Sequence, residues 1–234
     1  MADAGVLAGR LAIVVERIAL ASARSGRDPA SVRLLPIAKG FGPGVVAEAM
    51  RLGLKEFGEN RVQEAEAKIA ATDPRPRWHL VGHLQRNKAK RAVQLFDVIQ
   101  SLDSAGLVDE VSGRAVQMGR TIRCLVEVNT SGEKAKFGAE VSNALRLIEH
   151  ARDSAGIELE GLMTIGPLEG GPQGARTSFR ALRELREQAA RAGLLAEDAE
   201  LSMGMSDDFE IAVEEGATMV RIGTGLFGPR PARA

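Results

Sequence analysis

The chain has 234 residues, of which 44% are hydrophobic and 26% are charged, so it is long enough to bury one large core. Its 31 basic residues balance 31 acidic ones, which argues against nucleic acid or an anionic membrane as a partner. Cys124 is the only cysteine, which excludes an internal disulfide and favours a reducing compartment. The N-terminal apolar run is short, and no stretch is long enough to span a bilayer. We expect a soluble, cytoplasmic protein with one domain over residues 1–234.

Hydrophobic periodicity predicts an amphipathic helix first, over residues 4–23, which Ser25 and Gly26 end. Strands and helices then alternate. The predicted strands are 32–38, 55–58, 78–82, 97–101, 122–128, 157–164, 199–203 and 218–222. The predicted helices between them are 43–52, 60–70, 87–94, 104–118, 139–152, 174–192 and 206–215. Asp207 or Ser206 is the candidate cap of the last helix, and Gly216 is its candidate end.

This alternation predicts a parallel sheet. Eight repeats favour a closed (β/α)8 TIM barrel with an extra N-terminal helix over an open doubly wound sheet. The continuous apolar run at 122–128 also fits a strand that is buried on both faces. In such a barrel, functional residues gather where the strands end, at the carboxyl face.

Lys39 directly follows the first predicted strand and precedes a Gly-Phe-Gly-Pro segment. Partial burial at a strand exit lowers the pKa of an ammonium group and frees the amine as a nucleophile. The alternative is a surface lysine at the start of a loop.

Small and hydroxyl residues mark the exits of the last two strands, including Ser202, Gly223, Thr224 and Gly225. Loops after strands seven and eight of a barrel commonly bind phosphate. An early lysine and a late phosphate cradle together indicate a Schiff-base site for a phosphorylated aldehyde, with pyridoxal 5′-phosphate (PLP) as the candidate cofactor. The alternative is a glycine-rich turn with ordinary capping hydroxyls.

Arg221 is a charge inside an otherwise apolar strand. If it points into the barrel mouth, it can donate to the pyridine nitrogen of PLP, which makes the ring a weak electron sink. Pairing with a carboxylate such as Glu59 is the other role, and the sequence favours neither.

The remaining reactive residue types do not form a metal site. His79 and His83 lie on a strand and its exit, and one further histidine and one cysteine do not complete a zinc ligand set. Hydrogen bonding or packing around a cofactor ring is the expected role of the histidines. The basic run from Arg86 to Arg91 lacks interleaved aromatic residues and predicts a solvated helix face.

Five segments in order resemble the pyridoxal-phosphate homeostasis proteins, the small YggS-like PLP-binding barrels of the alanine racemase N-domain type (PLP fold type III). These segments are 57–64 (FGENRVQE), 78–88 (WHLVGHLQRNK), 128–138 (VNTSGEKAKFG), 161–164 (GLMT) and 202–224. The chain departs from the family at Ala38 and Gly40, where polar residues usually flank the lysine.

The resemblance implies a Schiff base between PLP and Lys39, with Arg221 at the pyridine nitrogen. It places the phosphate on Ser202, Gly223 and Thr224, and Asn60 near the ring hydroxyl. The further expected cofactor-binding residues are His79, Met163 and Met203.

Two functions fit this resemblance. One is a monomeric carrier or regulator of PLP without a committed reaction, with PLP-dependent apo-enzymes as candidate recipients. The other is a weak amino-acid racemase. A racemase needs a second base, usually tyrosine, on the opposite face of the ring, but the chain contains no tyrosine and Cys124 is expected deep in its strand. The ligands of a metal-dependent PLP aldolase are also missing.

Overall fold

The computed structural model describes residues 4–230, which form a ring of parallel strands surrounded by helices. The strands are β1 (Arg33–Pro36), β2 (Glu56–Glu59), β3 (Arg77–Leu80), β4 (Val98–Leu102), β5 (Ile122–Asn129), β6 (Ala139–Glu140), β7 (Ile157–Met163), β8 (Glu200–Ser202) and β9 (Met219–Ile222). The helices are α1 (Ala4–Arg24), α2 (Pro43–Arg51), α3 (Val62–Ala70), α4 (Ala89–Leu95), α5 (Ala105–Gln117), α6 (Val141–Asp153), α7 (Gly171–Arg191), α8 (Phe209–Glu214) and α9 (Thr224–Phe227). Single 3-10 turns occupy Pro29–Ser31 and Arg86–Lys88.

The strand order confirms the predicted barrel. Parallel pairing runs β1-β9-β8-β7-β5-β4-β3-β2. A bridge between Ile37 and Gly58 joins the ends of β1 and β2 and closes the ring. The two-residue β6 pairs with β5 outside this ring. All eight predicted strands are therefore present and form the (β/α)8 barrel, from which, among the strands of residues 4–230, only β6 is left out. The predicted helix α1 precedes the barrel.

The helix boundaries differ from prediction in a few places. The short α9 was not predicted, and the helix expected at 206–215 begins only at Phe209. Neither Asp207 nor Ser206 caps it. Asp208 takes the N-cap position, and its carboxylate accepts from the N–H of Met205 at 2.6 Å, outside the helix. Gly216 ends the helix as predicted, because its φ of +105° suits glycine.

The main core lies between the strands and the helices and contains Phe57, Trp78 and Phe179, all fully buried. Cys124 belongs to this layer, as predicted, and burial raises the pKa of its thiol. The thiol therefore lies on the helix side of β5. Within residues 4–230, none of the helices has the length and apolar character needed to cross a membrane.

Candidate cofactor site

A cavity of about 260 Å³ lies at the carboxyl ends of the barrel strands. Five of the residues predicted for the site line it: Lys39, Asn60, Arg221, Gly223 and Thr224. Its other walls are Ile37, Phe41, Val81, Ile165, Met205, Ser206, Asp207 and Arg230. A second cavity, of about 690 Å³, shares Lys39, Asn60, Thr224 and Arg230 with the first. We call the two together the barrel-mouth pocket.

The amine of Lys39 is the nucleophile in this pocket. The residue is half-buried, and burial lowers the pKa of the amine, with Arg230 and Arg221 acting in the same direction. The carboxylates of Glu59 and Glu64 act in the opposite direction. The pKa of Lys39 therefore shifts in the direction that a strand-exit lysine predicts, towards a larger fraction of free amine.

Arg221 forms the floor of the pocket and is held rigidly. Its Nη1 donates to the carbonyl of Ser202 at 2.7 Å and to the Ser202 hydroxyl at 2.9 Å, and its Nη2 donates to the carbonyl of Thr164 at 2.7 Å. Burial lowers its pKa to about 10, so it stays protonated at neutral pH. These three bonds engage only the Nη atoms, and the residue lines the pocket.

The alternative hypothesis, an ion pair between Arg221 and Glu59, is wrong. Glu59 is fully buried and forms an ion pair with Lys68, which is itself 4% exposed. Lys68 belongs to α3, and a charged residue on a helix predicts exposure rather than a buried ion pair, so this pair could not be predicted from the sequence.

The polar residues below the pocket form one chain. The Ser202 hydroxyl donates to Gln100 Oε1 at 2.7 Å, and Gln100 Nε2 lies 2.9 Å from His79 Nδ1. Because the Gln100 amide donates there, the His79 proton lies on Nε2, which faces Glu56 at 3.5 Å. The pKa of His79 is lowered by burial, and the proximity of His79 is the main cause that lowers the pKa of Glu56 to about 2.

Four predicted site residues thus lie away from the pocket lining. Ser202 and His79 are fully buried members of the polar chain, with their described hydrogen bonds directed to protein atoms. Met163 packs with Val98 and Leu125 in a small apolar cluster below Ile165. Met203 belongs to the outer core.

A pair of hydroxyls marks the wall that the last two strands form. The hydroxyl of Ser206 accepts from the N–H of Gly225 at 3.2 Å and lies 3.4 Å from the hydroxyl of Thr224. Thr224 begins α9 after Gly223, and the first N–H groups of a helix have no acceptor within it. Ser206 thus occupies the wall where Ser202 was expected. Its place in a Ser-Asp-Asp segment suggested a helix cap, which hid it from sequence reasoning.

The charges of the pocket suit an anion with an aldehyde. Four basic residues line it against two acidic ones, Glu64 and Asp207; the basic residues are Lys39, Arg61, Arg221 and Arg230. The amine follows β1, the paired hydroxyls follow the neighbouring strands β8 and β9, and the arginine forms the floor. The arrangement can hold a phosphate at one end and attack a carbonyl at the other.

Comparison with known proteins identifies the family. The alanine racemase N-terminal domain profile matches residues 18–231. The pyridoxal phosphate homeostasis protein of Aquifex aeolicus is 45% identical over 222 residues, covering 94% of this chain and 97% of that protein. The human protein of the same name is 38% identical, and the match covers 94% of this chain and 85% of the human one.

Solved structures agree with these relatives. A protein of Bifidobacterium adolescentis matches with a TM-score of 0.88 at 37% identity, covering 96% of this chain and 95% of that one. PipY of Synechococcus elongatus PCC7942, in a structure with PLP bound, matches with a TM-score of 0.79 at 38% identity, covering 92% of this chain and 100% of that one. Alanine racemase of Clostridium difficile 630, with a TM-score of 0.75 at 14% identity over 97% of this chain and 58% of that one, shares the fold alone. This chain belongs to the family of pyridoxal phosphate homeostasis proteins.

Proposed function

We propose that this chain is a one-domain PLP-binding protein of intracellular PLP homeostasis, with the cofactor attached to Lys39. One observation carries the proposal: a half-buried amine of lowered pKa shares a pocket with Arg221 and with the hydroxyls of Ser206 and Thr224. The names of the relatives and the PLP in the PipY structure support it.

The residues present fit this cofactor. PLP supplies an aldehyde that condenses with an amine, releasing water. Lys39 provides that amine, and the Nε of Arg221 is the donor for the ring nitrogen. Ser206, Thr224 and the backbone at Gly223 are the donors for the phosphate, with Ser206 replacing Ser202 in this role. Asn60, which lines both cavities, would approach the hydroxyl side of the ring, as the family resemblance implies.

The proposed role is holding and releasing PLP, without a committed reaction. We further propose that the protein acts as a monomer in the cytoplasm and that PLP-dependent apo-enzymes receive the cofactor. Two-base racemisation is the competing function, and it requires a proton donor opposite Lys39. The chain has no tyrosine, and Cys124 lies in the outer core. We expect alanine racemisation well below ordinary enzyme rates of about 1–10³ s⁻¹.

The attachment site has a direct test. The purified protein is incubated with PLP, reduced with borohydride and digested, and the modified peptide is identified by mass spectrometry. We expect modification at Lys39 and its loss in Lys39→Ala, which keeps the fold and retains weak non-covalent binding. Lys55→Ala, at an exposed lysine before β2, is the matched control. Modification that persists in Lys39→Ala at another lysine contradicts the proposal.

A further inference from the structure

The backbone on both sides of Lys39 is held by one face of α3. Residues 38–41 form a turn in which the N–H of Phe41 donates to the carbonyl of Ala38 at 3.1 Å. Gly40 is the third residue of this turn and has a φ of +77°, the sign that a type II turn requires at this position. Lys39 is the second residue, so the turn geometry determines where its side chain starts.

Two side chains of α3 reach this turn. The ammonium of Lys68 donates to the carbonyl of Ala38 at 2.6 Å, and the carboxylate of Glu64 accepts from the N–H of Gly40. Glu64 and Lys68 are four residues apart, so they lie on the same face of the helix. The two contacts therefore lie immediately before and immediately after Lys39.

The Lys68 contact is unusual because its ammonium is buried. Burying a charge is unfavourable unless it is paired and hydrogen-bonded. Glu59 supplies the opposite charge, and the carbonyl of Ala38 supplies a further acceptor. Glu59 Oε2 has no hydrogen-bond partner within residues 4–230. The buried pair is thus directed at the turn, with one carboxylate oxygen left without a bond.

We propose that Glu64 and Lys68 are positioning residues that hold the Lys39 turn so that its amine meets the aldehyde of PLP. This inference rests on the proposed attachment at Lys39. It predicts that the two residues control the rate of covalent attachment, whereas binding of the phosphate depends on Ser206 and Thr224, which follow the neighbouring strands β8 and β9.

Charge and position can be separated at Glu64. The charged groups that act on the Lys39 amine are Glu59 and Glu64, which raise its pKa, and Arg221 and Arg230, which lower it. Glu64→Gln removes the charge but keeps an oxygen that accepts from Gly40. Glu64→Ala removes both. The measurement is the rate of attachment of PLP, followed by absorbance, across a range of pH.

We expect the pH profile of Glu64→Gln to move to lower pH while its limiting rate at high pH stays unchanged. Glu64→Ala should show the same displacement and a limiting rate roughly tenfold lower, because the turn has lost one hydrogen bond to a charged group. Glu66→Ala is the matched control. Glu66 is a partly exposed residue of the same helix, paired with Arg91, and its removal should leave both quantities unchanged.

Lys68 needs a paired substitution, because its removal alone leaves the buried carboxylate of Glu59 without its opposite charge. Glu59→Leu combined with Lys68→Met replaces the ion pair by apolar side chains of similar size, a change that buried pairs often tolerate. We expect a folded protein, by circular dichroism, whose limiting rate is also roughly tenfold lower. In a Lys39→Ala background, Glu64→Ala and Glu64→Gln should bind PLP non-covalently with equal affinity, because both lack the carboxylate charge that lines the pocket.

Two results separate the inference from the proposed function. If the unsubstituted protein attaches PLP at Lys39 and Glu64→Ala does so at the same limiting rate as Glu64→Gln, the positioning role is wrong and the proposed function stands. If the unsubstituted protein attaches no PLP at Lys39, the proposed function itself is wrong.

Discussion

The substitutions Ser202→Ala and Ser206→Ala test whether Ser206 binds the phosphate and Ser202 stabilises the fold. Ser206 lies on the pocket wall beside Thr224, whereas Ser202 is fully buried between Arg221 and Gln100. Removing a hydrogen bond to a charged group costs about 1.5–3 kcal/mol, so Ser206→Ala should weaken PLP binding about tenfold to a hundredfold. Pyridoxal, which lacks the phosphate, should lose much less affinity.

Ser202→Ala should act on stability instead. Gln100 Oε1 loses its donor, and Arg221 keeps its bonds to the carbonyls of Ser202 and Thr164. A buried acceptor left without a partner costs about 1–3 kcal/mol, which is a few degrees in melting temperature for a chain of this size.

Isothermal titration with PLP and with pyridoxal, together with thermal melting of both variants, distinguishes the two serines. Thr177→Ala, at an exposed hydroxyl of α7, is the control for both measurements. The reasoning is refuted if Ser202→Ala selectively weakens PLP over pyridoxal while Ser206→Ala binds both as the unsubstituted protein does.

Two further predictions concern the base and the rim of the barrel. The pKa of Glu56 is depressed to about 2, so its bonds stabilise the fold above its ordinary pKa near 4.5, and this contribution is lost as the pH falls from about 5 towards 2. Glu56→Gln should therefore lower the free energy of unfolding at pH 7 and do so by much less at pH 2.5, as measured by urea titration at both values. Gly40→Ala should reduce the melting temperature, because alanine is strained at φ +77° and its Cβ would lie 2.9 Å from Arg230 Cδ; an unchanged melting curve would contradict the turn described for residues 38–41.

The barrel could be predicted because its signal is repeated. Eight apolar runs, each followed by a helical pattern, leave few alternatives to a closed parallel sheet. The strand β6 could not be predicted, since its two residues become a strand only by pairing with Val128 and Asn129 at the end of β5. The same holds for α9, a single turn of four residues flanked by Gly223 and Gly228.

The site was predictable where one residue stands out in its segment. Lys39 and Arg221 are charges at the end of, or within, apolar strands, and both line the pocket. Depth along the barrel was not predictable. Ser202 is level with Met163 and Met219 in the sheet register, whereas Arg221 is two residues further along β9. The alternation of side chains along a strand predicts whether a residue points into or out of the barrel. How deep in the barrel the residue lies depends on the stagger between neighbouring strands.

The polar chain inside the barrel explains why the guanidinium of Arg221 has a fixed orientation in the pocket. A buried guanidinium without acceptors would cost several kcal/mol, so its orientation follows from where acceptors lie. Two carbonyls and the hydroxyl of Ser202 supply them, and Ser202 is held in turn through Gln100 and His79 down to Glu56. Lys39, by contrast, is held by a surface turn and half-exposed. A ligand placed here thus meets a rigid floor and an amine whose position depends on a few hydrogen bonds from α3. This division suits the proposed reversible attachment, because the ring would stay in place while the bond to the amine forms and breaks.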